Sequence, residues 1–280
     1  MGSMEPGWRP LRAGRRPPGP GWPSRSIAAA AGALLLLVGQ AGLSQPVAPL
    51  AATDAKAIID RVDRLLRGDS SDGEMTMTVV TQRWKRSLTL RVWSQGTEKA
   101  LIRVVAPAKE AGTATLKAGD DIWNYLPKID RTIRIPTSMM MASWMGSHFT
   151  NDDLIKESRL IRDYDIALSF AGERGGVRVW EFTLTPRPDA AVVWGKIVME
   201  VRQADLMPTW GRYYGEDGDL RRTLTFGTYR VLGGRLVPTT MTVVPTDKPD
   251  ESTVVQYTRL RFDIPIPLET FSLAALRRPA

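Results

Sequence analysis

Residues 75–79 read MTMTV, residues 88–93 read LTLRVW and residues 100–105 read ALIRVV. In each segment the side chains fall into two alternating sets, and in the first two segments one set is apolar and the other is largely polar. In an extended chain, every second side chain points to the same side of the strand. This alternation is typical of antiparallel strands with one buried face, so the three segments predict the beginning of a β-sheet.

The same alternation continues along most of the chain. Glycine-containing turns such as Gly175-Gly176, Asp217-Gly218 and Gly233-Gly234 separate the segments, and such pairs are strong hairpin signals. A sheet of many strands twists and cannot lie flat. We therefore predict a mainly β fold with a single curved antiparallel sheet. The further strands are expected at residues 113–117, 121–126, 132–135, 164–171, 177–185, 196–202, 208–214, 220–232, 235–244 and 252–262.

One amphipathic helix precedes the strands. Apolar residues recur at three- and four-residue spacing from Ala55 to Leu66, and charged residues occupy the other face. Thr53 or Asp54 can cap the beginning of the helix, and Gly68 can end it. We predict that this amino-terminal helix packs into the hollow of the curved sheet.

The amino terminus has the organisation of a secretory signal peptide. Five arginines precede an apolar run from Ile27 to Val38, and small residues follow it. The run is short for a membrane-spanning helix, which needs about 20 apolar residues. We predict a signal peptide at residues 1–44, with cleavage after Ala41 or Ser44, and an uncleaved anchor is the alternative.

Removal of the leader leaves a linker at residues 45–52 and one β domain at residues 53–280. The formal net charge of +8 then falls to about +4, so no dense basic patch for nucleic-acid binding is indicated. The sequence contains no cysteine, which excludes disulfides, thiolate metal sites and the acylated cysteine of a bacterial lipoprotein. We expect a monomer that is free in the periplasm, is not lipid-anchored and binds no nucleic acid.

The β pattern breaks in an insertion from Ser138 to Leu160. Within it lies a lid segment, Met139–Phe149, that is crowded with bulky apolar side chains. Methionine packs well against irregular surfaces, and so many apolar side chains are hard to bury without a partner surface. We interpret the insertion as a helical lid over an apolar site. A satellite core cluster beneath a long loop is the alternative.

No residue pattern indicates a catalytic centre. His148 is the only histidine, and the chain has no cysteine, so the usual nucleophile and base combinations lack candidates. We interpret His148 as a loop residue. Asp152 and Asp153 precede an apolar helix start, which favours carboxylates at a helix N-terminus over a calcium ligand pair. We predict no enzyme activity, no metal site and no cofactor.

The central motifs resemble those of a known family. Residues 121–127 read DIWNYLP, residues 131–136 read RTIRIP and residues 143–154 read SWMGSHFTNDDL. These segments resemble the outer membrane lipoprotein-sorting proteins, which are related to the periplasmic lipoprotein carrier of the Lol pathway. In that family the loop runs Met-Gly-Ser-x-Phe-Thr-x-x-Asp-Leu, and His148 stands where the family has Asp.

The resemblance implies an incomplete β-barrel whose apolar cavity accepts acyl chains. It implies a carrier that shields the acyl chains of a lipid or an acylated lipoprotein between the inner and outer membranes, with an inner-membrane lipid-exporting permease as a candidate partner. An envelope-stress sensor or regulatory module of the same fold, binding a membrane partner protein, is the alternative. The cavity and lid residues are predicted, from the alternation of the strands and from residue type, to be Leu88, Leu90, Val92, Trp123, Met139, Met140, Met141, Trp144, Met145 and Phe149. For Trp123, ordinary sheet packing is the favoured alternative, because aromatic residues are common in strands.

Overall fold

The computed structural model describes residues 52–156 and 160–278. The predicted signal peptide, residues 1–44, lies outside the described residues. The predicted linker, residues 45–52, also lies outside them except for Ala52, which begins the first helix.

Thirteen strands form one antiparallel sheet in the described part of the chain. Every strand predicted from alternation is present, and the mainly β fold with a single large sheet is confirmed. The strands are β1 (Ser70–Val80), β2 (Lys85–Gln95), β3 (Lys99–Ala106), β4 (Ala114–Ala118), β5 (Asp121–Leu126), β6 (Arg131–Arg134), β7 (Tyr164–Arg174), β8 (Val177–Pro186), β9 (Lys196–Arg202), β10 (Pro208–Tyr214), β11 (Leu220–Leu232), β12 (Arg235–Pro245) and β13 (Ser252–Phe262).

The sheet has two edges and does not close into a full barrel. The strand order is β6-β5-β4-β3-β2-β1-β13-β12-β11-β10-β9-β8-β7, so all neighbours except β1 and β13 are consecutive in sequence. The edge strands are β6 and β7. Residues 135–163 connect these two edges and contain the insertion. The incomplete barrel implied by the family resemblance is therefore confirmed.

One face of the sheet is the inside of its curve. A single apolar cluster joins side chains of β2 and β3, such as Leu90 and Val104, to side chains of β8 and β9, such as Phe182 and Val201. The cluster also includes side chains of the strands between them, such as Met77 of β1 and Val255 of β13, so this face is buried along most of the sheet. A twisted sheet of this size curves. We call this side the inner face and the opposite side the outer face.

Helix α1 (Ala52–Arg67) lies on the inner face and supports the prediction of an amphipathic helix. Its apolar side contributes Ala55, Ile58, Ile59 and Val62 to the inner cluster, and the helix packs chiefly against β7 and also contacts β12. Gly68 follows with a φ of 68°, a left-handed conformation that glycine adopts without strain and that ends helices.

A second apolar cluster lies on the outer face of β3, β4 and β5. It contains Leu101 and Leu116 together with Phe271 and Leu276 from the carboxyl-terminal segment. That segment forms a 3-10 turn at Leu268–Phe271 and the short helix α4 (Leu273–Leu276). The segment therefore docks on the outer face of this part of the sheet.

The insertion contains short helical turns instead of one continuous helix. They are 3-10 turns at Thr137–Met139 and Trp144–Gly146, then α2 (Asp153–Lys156) and α3 (Leu160–Asp163). Met145 and Gly146 have φ values of 50° and 71°, which interrupt a helix at that point. None of the helices within residues 52–156 and 160–278 combines the length and the apolar character needed to cross a membrane.

Candidate functional site

A pocket of about 460 Å³ opens on the inner face beside β2, β3 and β5. Its volume falls within the range of roughly 300–1,000 Å³ that is usual for small-molecule sites. The lining residues are Arg86, Leu88, Val104, Lys109, Glu110, Thr113, Asn124, Leu126, Pro127, Lys128, Ile129 and Met145.

Strand alternation determines which side chains form the wall of the pocket. Arg86 and Leu88 are two residues apart on β2, and Asn124 and Leu126 are two residues apart on β5, so each pair projects to the inner face. Leu88 and Val104 are almost fully buried. The wall is therefore mainly apolar, and Asn124 provides a polar group within it.

The mouth of the pocket is charged. Lys109 lies in the connection between β3 and β4, and Lys128 lies in the turn after β5, and both side chains are exposed. Arg86 contacts Glu110, with 3.4 Å between Nη1 and Oε2, and it also donates a hydrogen bond to the carbonyl oxygen of Met145. The second contact ties the lid segment to the wall of the pocket.

Three lid residues face inward and partly close the inner face. Trp144 and Phe149 belong to the inner cluster, and Met145 packs against it. The Trp144 indole Nε1 donates a hydrogen bond of 3.1 Å to Thr115 Oγ1 on β4. The inward part of the lid segment is therefore packed like core and is also hydrogen-bonded to the sheet.

The three consecutive methionines of the lid segment have different surroundings. Met140 packs against Ile122 and Ile135 in a small separate cluster. Met139 and Met141 are 47% and 55% exposed. The segment thus combines the two alternatives that the sequence left open, since one part is core and another part faces outward.

The structure brings together only some of the predicted cavity residues. Leu88 and Met145 line the pocket, whereas Leu90 and Val92 lie further along the inner face in the main cluster. Trp123 is not brought to the pocket, because it packs into the outer cluster. Since Asn124 points inward, its neighbour Trp123 must point outward.

Most of the pocket lining was missed by the sequence prediction. The alternation of Ile122, Asn124 and Leu126 on β5 could have indicated the inner side of this strand, because Ile122 is completely buried. The two connections that supply Lys109 and Lys128 gave no such signal, because irregular segments lack a period that assigns side chains to a face.

A buried ion pair anchors the insertion to the sheet. Arg222 on β11 donates hydrogen bonds of 2.6 Å to both carboxylate oxygens of Asp153. Its guanidinium carbon lies 4.5 Å from the ring centroid of Trp194 and 4.4 Å from that of Tyr213. This bidentate ion pair, with two aromatic rings packed beside the guanidinium, fixes both the position and the orientation of the Asp153 carboxylate.

Asp153 also stabilises the beginning of α2. Its Oδ2 accepts a hydrogen bond of 2.6 Å from the backbone N–H of Thr150, and its own N–H donates to Thr150 Oγ1 over 3.2 Å. This reciprocal arrangement resembles a capping box and agrees with the interpretation as a carboxylate at a helix N-terminus. Within the described residues, no group of three or more potential ligand side chains could hold a metal ion.

His148 fastens the lid segment to the beginning of β13. Its backbone N–H donates to Thr253 Oγ1 over 3.0 Å, and its Nδ1 lies 2.9 Å from the same oxygen. Its Nε2 lies 3.2 Å from Glu251 Oε2. The hydrogen bond from His148, together with that from the Gln82 N–H, lowers the pKa of Glu251. His148 thus lies in a loop and acts as an attachment point.

Comparison with known proteins places the chain in a family. A family model described as "-like: Uncharacterized protein" matches residues 96–278, about two thirds of the chain. The chain belongs to this family. No curated protein matches the chain significantly.

Solved structures show the fold of this family member. A domain from Vibrio parahaemolyticus, described as an outer membrane lipoprotein-sorting protein, is 24% identical with a TM-score of 0.72, and the match covers 81% of this chain and all of that one. A DUF1329 family protein from Desulfovibrio piger is 23% identical with a TM-score of 0.72, over 80% of this chain and 98% of that one. The match to a LolA superfamily protein from Nitrosomonas europaea has 21% identity and a TM-score of 0.68, over 79% and 98%. The resemblance that the sequence motifs indicated is confirmed in the fold.

Proposed function

We propose that this protein is a periplasmic carrier that shields an acyl chain of a lipid or lipoprotein in transit between the inner and outer membranes. The observation that carries the proposal is the pocket on the inner face, with apolar walls formed by Leu88, Val104 and Leu126 and a lid residue, Met145, at its border. The shared fold with a lipoprotein-sorting domain and a LolA superfamily protein supports it.

Burial of alkyl surface supplies the binding energy of such a carrier. Each methylene transferred from water to an apolar site contributes about 0.8 kcal/mol, so a buried chain dissociates slowly. Release then requires a conformational change or a partner with higher affinity for the ligand. Because Met145 of the lid segment lines the pocket, this segment is the part that moves in this proposal, and its hydrogen bond from Arg86 breaks when it opens.

The proposed site is confined to the pocket. Elsewhere the inner face is occupied by the protein's own side chains, among them Ile59 of α1 and Phe182 and Leu184 of β8, all almost completely buried. A ligand can therefore enter this region of the sheet without displacing the main core, but its size is limited by the pocket.

A carrier needs no chemical step, and we propose that the protein is not an enzyme. The twelve described residues that line the pocket include no histidine, serine or cysteine. The polar groups present there are suited to binding and orienting a ligand. An inner-membrane lipid-exporting permease is the partner we propose for loading, and the arginine-rich, apolar amino terminus supports export to the periplasm.

Mass spectrometry of organic extracts tests this function directly. The full chain is purified without detergent and compared with Leu126→Trp, which fills the pocket, and with Val177→Trp, which adds the same side chain at an exposed position of β8. We expect a co-purifying lipid with the wild type and with Val177→Trp, and its loss with Leu126→Trp. A wild-type protein that is empty and binds no fluorescent acyl probe contradicts the carrier and favours binding of a membrane partner protein instead.

A further inference from the structure

The mouth of the pocket carries more positive than negative charge. Arg86, Lys109 and Lys128 line it together with one carboxylate, Glu110. Glu110 lies against Arg86. Among the described residues, neither Lys109 nor Lys128 has a side-chain hydrogen bond or ion pair. Two ammonium groups therefore stand at the opening of an apolar pocket without an ion-paired carboxylate in the part of the chain that the structure describes.

Other cationic side chains of the sheet form ion pairs with carboxylates. Arg174 contacts both Glu181 and Glu200, at 2.7 Å and 2.8 Å. Arg222 is paired with Asp153, as described above. Lys109 and Lys128 differ from these residues, because they line the pocket and have no hydrogen-bonded or ion-paired partner within residues 52–156 and 160–278.

The apolar side chains lie deep in the pocket, and the charged side chains lie at its mouth. Leu88 and Val104 are buried on the inner face, whereas Lys109 and Lys128 are exposed in the two connections that border it. A ligand that enters with its alkyl chain toward Leu88 leaves its other end beside the lysines. Ammonium groups form strong charge-assisted hydrogen bonds with carboxylate and phosphate oxygens.

From this arrangement we infer that the pocket selects an amphiphile with one alkyl chain and an anionic head, either a carboxylate or a phosphate. The inference rests on the proposed function and narrows its ligand class. The volume of about 460 Å³ favours one chain over several. A ligand with an uncharged head would form no ion pair with either ammonium group. A ligand with an anionic head is therefore expected to bind more tightly.

Three ligands with the same alkyl chain and different heads test the inference. Palmitate, hexadecyl phosphate and hexadecanol are each titrated into the full chain below the micelle concentration of the anions and the solubility limit of the alcohol. Displacement of the uncharged fluorescent probe N-phenyl-1-naphthylamine measures their binding. We expect both anions to bind about tenfold more tightly than the alcohol, which corresponds to about 1.4 kcal/mol. Added salt should reduce this advantage, because the mouth is open to solvent.

Variants of the lysines locate the effect. The double variant Lys109→Gln and Lys128→Gln should remove the advantage of the anions and leave the affinity for hexadecanol unchanged. Lys56→Gln, at an exposed position of α1 that does not line the pocket, is the matched control and should behave as the wild type.

The outcomes separate this inference from the proposed function. Preference for hexadecyl phosphate alone identifies a phosphate head, and equal preference for palmitate identifies a carboxylate as sufficient. Hexadecanol binding as tight as that of both anions overturns the anionic head and leaves the carrier standing. Equal weakening of all three ligands by the double variant also overturns it. If none of the three ligands displaces the probe, the acyl carrier itself is contradicted.

Discussion

The two halves of the sheet carry their helical cover on opposite faces. In the half formed by β7–β12, helix α1 lies on the inner face, packed chiefly against β7, and the inward side chains of Phe182 and Leu184 on β8 are completely buried. In the half formed by β2–β6, the carboxyl-terminal segment with α4 covers the outer face of β3–β5. The pocket lies on the inner face of this second half.

The difference shows what creates a cavity in this fold. Both halves place apolar residues on the inner face, so the alternation of the strands alone does not distinguish them. Protein interiors are packed to high density, and an inner face that receives a helix keeps little free volume. The face beside β2, β3 and β5 receives no long helix. The short turns of the lid segment cover it only in part, through Met140, Trp144 and Met145, and it therefore keeps an opening.

The largest effect is expected from breaking the ion pair that anchors the insertion to the filled half. Arg222→Met leaves the buried Asp153 carboxylate without its cationic partner, and loss of one member of such a pair costs about 3–5 kcal/mol. Urea unfolding followed by fluorescence measures the change. Arg221→Met removes a half-exposed pair with Asp217 and should cost no more than about 1 kcal/mol. Equal losses in the two variants would show that the insertion is not anchored through Arg222.

A second comparison sets one isoleucine of the filled half against one at the pocket. Ile59→Ala removes a buried side chain of α1 from the inner cluster and should lower the free energy of unfolding by about 2–5 kcal/mol. Ile129→Ala, at a position 61% exposed beside the pocket, should change it by less than about 0.5 kcal/mol. Thermal and urea unfolding of both variants give the values. Similar costs would contradict the contrast between a filled and an open half.

The smallest effect is expected at the attachment of the lid segment to β13. The pKa of Glu251 is lowered by its hydrogen bonds from His148 and the Gln82 N–H, and Lys248 adds to this. The stabilisation is therefore present above the ordinary glutamate pKa, about 4.3, and is lost as the pH falls through the lowered value in the folded protein. Glu251→Gln should raise hydrogen exchange of residues 144–150 already at neutral pH, with little change in global stability.

The control for this prediction is Glu173→Gln, at an exposed position of β7. Its exchange at residues 144–150 should equal that of the wild type at every pH. In the wild type, protection of this stretch, corrected for intrinsic exchange rates, should decrease only at acid pH. Unchanged protection in Glu251→Gln would mean that His148 and Thr253 hold the lid segment without the carboxylate.

Much of the fold followed from local patterns, and the candidate site followed only in part. Leu88 was assigned to the cavity because apolar residues alternate along β2, and it lines the pocket. Trp123 was assigned to the cavity from its residue type, yet it lies on the outer face. Aromatic residues are favoured on either face of a strand, so the type of residue did not decide its direction.

The sequence by itself determined the strands, their hairpin order, the amphipathic helix and the position of the break in the β pattern. These features depend on periods of two and of 3.6 residues and on turn-forming glycines, which act over a few residues. Only the tertiary structure decided which half of the inner face α1 fills and that Lys109 and Lys128 meet at one opening. Such arrangements depend on how segments that are distant in sequence pack into a limited interior volume. The local periodicity of the sequence contains no information about this packing.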